Sequence, residues 1–164
     1  MGDIGGARAS KNGKRCEKWV ENIFLKNNIF VGNYSDYKTK KSRDELGKKY
    51  GVFVLRQVPF YNPADKKYCK TEYVIYDYRN NTEERIEVKF QKNPGSAKSK
   101  VFQNWEHIIE GHYPENELTL ILEGSELQNY LQYFKRKAEK YQGEKNVHVE
   151  NIAEFELRFC RQYL

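Results

Sequence analysis

KTEYVIYDYRNNTEERIEVKFQ, residues 70–91, contains two strand-like segments joined by a short polar turn. The segments cover residues 70–78 and 85–91, and both are rich in the β-branched and aromatic residues that favour strands. The Asn80–Asn81 pair between them is typical of a tight turn, because asparagine tolerates the left-handed backbone that such turns need. We therefore predict an antiparallel hairpin here.

The second segment carries an unusual polar face. Alternate residues of a strand point to opposite sides, so Glu87, Lys89 and Gln91 share one face and the apolar residues between them share the other. A magnesium ion takes one or two protein carboxylates, with water and phosphate oxygens completing its shell. A lysine beside that ion can orient or deprotonate an attacking water and offset charge on a phosphate. Such a site needs a second carboxylate from a neighbouring strand.

The first segment offers two candidates for that second carboxylate, Glu72 and Asp77. Because they are an odd number of residues apart, they lie on opposite faces, and only one can join Glu87. In the register that pairs Glu72 with Gln91, Glu72 is on the site face and Asp77 points away. A slip of one residue reverses this result. The residues alone leave both candidates open.

The rest of the chain predicts one α/β domain in which helices cover a mixed sheet. The other segments with helical spacing or strand character are, in chain order, a helix at about Lys14–Asn27, a strand at Val52–Phe60, a helix at 100–111, a strand at 118–124, a helix at 125–143, a strand at 147–152 and a helix at 153–164. Residues 29–51 indicate a short strand followed by an exposed loop or irregular helix. Ser125 is the predicted N-cap of the helix at 125–143.

Composition narrows the class of protein. With 164 residues, 38% hydrophobic and 15% aromatic, the chain can bury a core, and we predict a flexible basic arm at residues 1–13 before a single domain at 14–164. The net charge of +6 favours a polyanionic partner, most commonly nucleic acid. Three scattered cysteines argue against a disulfide framework or zinc ribbon and favour a reducing cytoplasm. No apolar stretch approaches the roughly 20 residues that span a bilayer, so no membrane partner is expected.

Two basic segments are candidates for contact with DNA phosphates, although ordinary solvated loops have the same composition. One is the lysine-rich region between residues 38 and 49, and the other is the Gly-Ser loop that follows residue 91. The candidate contacts in them are Lys40, Lys41, Arg43, Ser96, Lys98 and Lys100.

A strand bearing an acid, a short connection and a strand reading Glu-x-Lys resembles the core of the PD-(D/E)XK nuclease superfamily. EVKFQKNPGSAKSK, residues 87–100, is particularly similar to a branch with Glu-x-Lys-x-Gln followed by Gly-Ser and a lysine. In that branch the first acid follows a threonine, which matches Thr71-Glu72 and leaves Asp77 as the alternative ligand. The resemblance also includes the opening helix, NGKRCEKWVENIF at residues 12–24, in which the family's supporting glutamate matches Glu17. It extends through the back half, over nearly the whole chain.

The resemblance implies a restriction-endonuclease-like core, a central mixed sheet flanked by helices on both sides. It implies that Glu72 and Glu87 bind Mg²⁺, with Mn²⁺ as a substitute, and that Lys89 positions or activates the attacking water. Glu17 would support the metal site, and Gln91 would position water or touch DNA.

The activity implied is endonucleolytic cleavage of DNA, most simply duplex DNA cut in the manner of a restriction enzyme. Cutting both strands needs two copies of a single site, so a symmetric homodimer is expected. A bacterial or phage origin is compatible with this reading. A phage or recombination nuclease, such as a junction resolvase, has the same core and stays an alternative, as does a non-catalytic DNA-binding module of the same fold.

Overall fold

A computed structural model describes residues 4–93 and 95–164, with side chains from residue 13 onward. The described helices are α1 (Ile4–Lys26), α2 (Lys40–Tyr50), α3 (Ala97–Ile109), α4 (Gln128–Glu139) and α5 (Ile152–Tyr163). The strands are β1 (Phe30–Asn33), β2 (Val52–Asn62), β3 (Lys67–Asp77), β4 (Thr82–Phe90), β5 (Glu117–Glu123) and β6 (Asn146–Glu150). Residues 1–3, which belong to the predicted arm, and Pro94 lie outside the described residues.

The six strands form one sheet in sequence order, β1 to β6. The middle strands β2, β3 and β4 are antiparallel, whereas β1 runs parallel to β2, and β4, β5 and β6 run parallel to one another. Parallel neighbours need a crossover of a dozen or more residues, and α3 and α4 supply it on the β4–β5–β6 side. The sheet is therefore mixed and the fold α/β, as predicted.

Helices cover both faces of the sheet. Helices α1 and α5 pack on one face through a core that includes Val20, Phe24, Phe155 and Phe159. Helices α3 and α4 pack on the other through a core that includes Val101, Trp105, Leu131 and Phe134. A third cluster joins α2 to β2 and β3 through Leu46, Phe53, Leu55 and Val74. Burying one such large apolar side chain contributes roughly 1.5–3 kcal/mol, so these clusters hold the layers together.

Three predicted helix starts were wrong, and one of them is the start of α3, which begins at Ala97 rather than at residue 100. Helix α1 begins at Ile4 rather than near Lys14, so it includes residues 4–13 of the predicted basic arm. Helix α4 begins at Gln128, because residues Ser125–Leu127 form a separate 3₁₀ turn. The Ser125 hydroxyl does not cap that helix and donates instead to the Lys92 carbonyl, 2.9 Å away. The division of the chain into an arm and one domain stays a prediction.

The segment between α1 and β2 is more regular than predicted. After β1 and a short 3₁₀ turn, α2 is an ordinary helix whose N-cap, Thr39, accepts a hydrogen bond from the Ser42 backbone at 3.1 Å. Helix α5 also has a strong start, since Asn151 and Glu154 form a reciprocal capping box. Short polar caps of this kind fix where α2 and α5 begin.

Candidate active site

Three predicted side chains meet on one face of the sheet. The ammonium nitrogen of Lys89 lies 3.2 Å from Glu72 Oε1 and 2.8 Å from Glu87 Oε2. All three side chains are largely buried, with 9–17% of their surface exposed. The cluster is therefore shielded from bulk water, while a solvent path to it remains.

These residues meet because the β3–β4 ladder stops there. Its last pair is Tyr73 with Ile86, which places Glu72 opposite Glu87 rather than opposite Gln91. This register differs by four residues from the pairing of Glu72 with Gln91 considered above, and an even shift keeps every side chain on its face. Beyond this pair the Val88 N–H has no strand partner on the β3 side and donates to Glu72 Oε2 at 3.1 Å. The carboxylate of Glu72 therefore terminates the ladder.

The ladder between β3 and its other neighbour, β2, is also interrupted at Glu72. Strand β2 pairs with β3 through Arg56–Tyr73 and Val58–Thr71, and the pair between them, Gln57 with Glu72, is missing. Gln57 has φ of 56°, a left-handed conformation that costs a non-glycine residue of order 1–3 kcal/mol. Glu72 is therefore paired with neither β2 nor β4, and its side chain contacts Lys89.

The electrostatics of the cluster are those of two acids sharing one cation. Burial and the nearby charge of Glu72 raise the pKa of Glu87 to about 8. Burial acts on Glu72 as well, but the Lys89 charge and hydrogen bonds, including the one from Val88, hold its pKa below the ordinary value. Although burial opposes it, the pair of carboxylates raises the pKa of Lys89. The lysine is therefore a firmly held cation.

The donor set fits a magnesium ion. Two carboxylates converge on one point, and Mg²⁺ takes one or two carboxylates and fills its remaining positions with water and phosphate oxygens. Among the described residues no group of three or more His, Cys, Asp or Glu could hold a metal. The site thus suits a metal bound jointly by protein and substrate, and it does not suit an all-protein cage such as structural zinc.

The sequence was also compared with models of known protein families. A family model described as the PD-(D/E)XK nuclease superfamily domain matches residues 8–161. The chain belongs to the PD-(D/E)XK nuclease superfamily. A search of curated proteins finds no match. The match spans the arrangement described above, from α1 into α5, and confirms the family resemblance and the restriction-endonuclease-like fold.

Around this nuclease core, Glu17 lies on α1 within electrostatic reach of the cluster. Partial burial and the charge of Glu72 raise its pKa, and Lys89 acts in the opposite sense. Two contacts hold α1 against the sheet. The Tyr73 hydroxyl on β3 donates to the Glu17 carbonyl at 2.9 Å, and Arg56 on β2 forms a salt bridge with Glu21 at 2.8 Å. The position agrees with the predicted supporting role, which stays a prediction.

Gln91 is held by the start of α3. Its Oε1 accepts a hydrogen bond from the Lys98 backbone N–H at 3.0 Å, which leaves its amide nitrogen to face other groups. Gly124 makes this placement possible, because a Cβ there would lie 2.4 Å from the Gln91 carbonyl oxygen. Gln91 therefore ties the site strand to the Gly-Ser loop, and its contact with water or DNA stays a prediction.

The candidate phosphate contacts fall into two exposed groups. Ser96, Lys98 and Lys100 are exposed at the start of α3, directly after the site strand. Lys40 and Lys41 are exposed at the start of α2, which follows β1 at the end of the sheet where Asn33 pairs with Arg56.

Arg43 differs from its lysine neighbours. Its guanidinium donates to the carbonyls of Tyr37 and Lys38, at 3.1 and 2.7 Å, so it braces the loop before α2. Only part of its donor capacity is left for a phosphate.

Asp77 is far from the cluster. It caps the β3–β4 hairpin, where its Oδ1 accepts from the Arg79 backbone at 2.9 Å and its Oδ2 from the Asn80 side chain at 2.8 Å. It lies five residues along β3 from Glu72, roughly 16 Å at ordinary strand rise. The geometry therefore favours Glu72 as the acid that joins Glu87.

Sequence reasoning missed the residues that hold Glu87. The Tyr113 hydroxyl donates to Glu87 Oε1 at 3.2 Å and accepts from Asn104 Nδ2 at 3.1 Å. Tyr113 and Asn104 are both buried, on the α3 side of the sheet. A tyrosine in a loop after a helix has no periodic signal, so only the fold brings it to the site.

Proposed function

We propose that this protein is a magnesium-dependent endonuclease that hydrolyses phosphodiester bonds in duplex DNA. The observation that supports it best is the convergence of Glu72, Glu87 and Lys89 where the β3–β4 ladder ends. It is reinforced by the superfamily match over residues 8–161 and by the exposed lysines at the starts of α2 and α3.

Glu72 and Glu87 would hold the Mg²⁺, or Mn²⁺ in its place. A bound divalent ion lowers the pKa of a coordinated water and offsets charge on the scissile phosphate. Lys89 contributes a positive charge, because the two carboxylates raise its pKa and disfavour its use as a base. It orients a water by donating a hydrogen bond and offsets charge as the phosphate is attacked.

The surroundings keep this arrangement in place. Tyr113 orients Glu87 from the α3 side, and Glu17 adds negative charge from the α1 side, which favours a cation between them. Lys40, Lys41, Lys98 and Lys100 supply charge for backbone phosphates, which positions the duplex without reading its sequence.

The test is cleavage of supercoiled plasmid with and without Mg²⁺. We expect the wild type to cut only with the metal, and Lys89→Met to lose at least a hundredfold in rate, because it removes the charge but keeps the volume. Lys135→Met is a matched control, since Lys135 is also partly buried and paired with a glutamate, Glu154, on α4 and α5. Intact plasmid retained by all three proteins, with or without Mg²⁺, would leave only a DNA-binding module.

The products report how many sites act together. A symmetric homodimer cuts both strands in one encounter and gives linear DNA, whereas a single site gives nicked circles first. Defined duplexes, four-way junctions and single strands run side by side would separate restriction-like cleavage from junction resolution. Preference for the junction would replace the restriction-like role with that of a recombination nuclease.

A further inference from the structure

A group of aromatic side chains on α3 and α4 has no part in the site described above. Phe102, Tyr130 and Tyr133 form it, and we call it the aromatic platform. The ring of Phe102 lies 6.0 Å from that of Tyr130 and 6.2 Å from that of Tyr133. Beneath them the fully buried Phe134 lies 5.1 Å from both Phe102 and Tyr133, which anchors the platform in the core.

The platform is open to solvent and positively charged. Phe102 is 37% exposed and Tyr133 is 39% exposed. The Lys98 ammonium lies 5.1 Å from the Tyr130 ring, and that of Lys137 lies 5.3 Å from the Tyr133 ring. In the part of the chain that the structure describes, neither lysine pairs with a carboxylate. Exposed aromatic rings and lysines without a salt-bridge partner among the described residues therefore occur side by side.

A groove runs along α3 beside Phe102. It is lined by Gly95, Lys98, Ser99, Phe102, Gln103 and Glu106. Lys98 is bonded through its backbone to Gln91, which follows Lys89 by two residues. The path from Lys89 to Phe102 is on the order of 15 Å long. It consists of two residues of strand, the hydrogen bond between Gln91 and Lys98, and one turn of α3. A few nucleotides of a DNA strand cover that distance.

We propose that the aromatic platform stacks unpaired bases of the DNA strand that runs through the site, while Lys98 and Lys137 contact its phosphates. The inference rests on the proposed function, because one DNA molecule occupies both places. Bases in a duplex are already stacked on one another, so exposed rings select single-stranded segments. The substrate class is therefore duplex DNA that carries an unpaired stretch beside the position of cleavage.

The test compares two oligonucleotides of equal length, one of thymidines and one of abasic residues, by fluorescence anisotropy in EDTA. The abasic strand keeps the phosphates and loses the bases. We expect Tyr133→Ala and Phe102→Leu each to weaken binding of the thymidine strand by about 5- to 150-fold and to leave the abasic strand unchanged. Phe102→Leu keeps the apolar packing on Phe134, so folding is preserved, and Tyr133→Phe should bind as the wild type does.

Tyr68→Ala is the control for aromatic exposure alone. Tyr68 is 74% exposed and its ring lies 5.4 Å from that of Tyr61 on the β2–β3 hairpin. Among the side chains that the structure describes, no lysine lies over the Tyr68 ring. Tyr68→Ala should leave binding of both strands unchanged. Equal losses on both strands, equal losses from Tyr68→Ala, or dissociation of a dimer by the platform variants would each overturn the inference.

The two proposals fail in different ways. If the wild type discriminates the thymidine strand from the abasic one but never cleaves DNA, the nuclease proposal fails and the platform stands. If the wild type cleaves with Mg²⁺ but binds both strands equally, the platform fails and the nuclease proposal stands.

Discussion

Tyr113→Phe removes one hydroxyl group from behind the site and changes nothing else in size. In the wild type that hydroxyl donates to Glu87 Oε1 at 3.2 Å and accepts from Asn104 Nδ2 at 3.1 Å. A protein group that orients a metal-binding side chain contributes about 10- to 100-fold in metal affinity. Because Glu87 keeps its 2.8 Å contact with Lys89, we expect the smaller value, about 10-fold.

Stability should fall as well. With its pKa raised to about 8, Glu87 is mostly neutral at pH 7 without metal, and a hydrogen bond between neutral groups contributes about 0.5–1.5 kcal/mol. For a domain of this size 1 kcal/mol lowers Tm by roughly 2–4 °C, so a decrease of about 1–6 °C is expected. The measurements are the Tm without metal, calorimetric titration with Mn²⁺, and the Mg²⁺ concentration that gives half-maximal cleavage.

Tyr163→Phe is the matched control. Tyr163 is also buried and donates to a buried carboxylate, that of Glu84, which lies on the same strand but on its other face. We expect a similar or larger loss of Tm with no change in metal affinity. An unchanged Mn²⁺ affinity in a folded Tyr113→Phe protein, or equal changes in both variants, would refute the assignment of Tyr113 to the metal site.

Two further changes test the acids that lie outside the cluster. Asp77→Ala should lower the free energy of unfolding by about 1–3 kcal/mol, because it removes the acceptor that holds the hairpin turn. It should leave metal-dependent cleavage intact. Loss of cleavage by the folded variant would restore Asp77 as a candidate metal ligand. Burial opposes ionisation of Glu84, but Arg158, Thr119 and Tyr163 outweigh it and lower its pKa below the ordinary 4.5. The stability from this group is therefore present above pH 4.5 and is lost as pH falls through the lowered pKa. The free energy of unfolding, measured with urea between pH 7 and 3, should depend less on pH for Glu84→Gln than for the wild type. Parallel plots of this free energy against pH for the two proteins would contradict the prediction.

The hairpin and the face of the site strand were predictable from sequence for a physical reason. Alternation along β4 depends only on strand geometry, and the asparagine turn depends only on local backbone preference. The exact register was not predictable, because it depends on where the turn closes. The observed register differs by four residues from the pairing of Glu72 with Gln91, and an even difference keeps Glu72 on the face of Glu87.

Other features depend on tertiary contacts and have no local signal. Gln57 adopts a left-handed conformation inside a segment that reads as a plain strand. Ser125 has the composition of an N-cap but bonds to Lys92 across the chain, which delays the start of α4. Tyr113 reaches Glu87 only because β4 and the loop after α3 are brought together by the sheet.

The interruption of both ladders at Glu72 has a consequence for how such a site can be altered. Two residues farther toward the hairpin, at Val74, the backbone is paired on both sides, and a carboxylate there would find no unpaired N–H to hold it. The proposed active site is located where the pairing of the strands is interrupted, and an acid placed elsewhere on the same face would not reproduce it. A designer who replaced Gln57 and its neighbours with an ideal continuous strand would therefore abolish the site while leaving Glu72, Glu87 and Lys89 untouched.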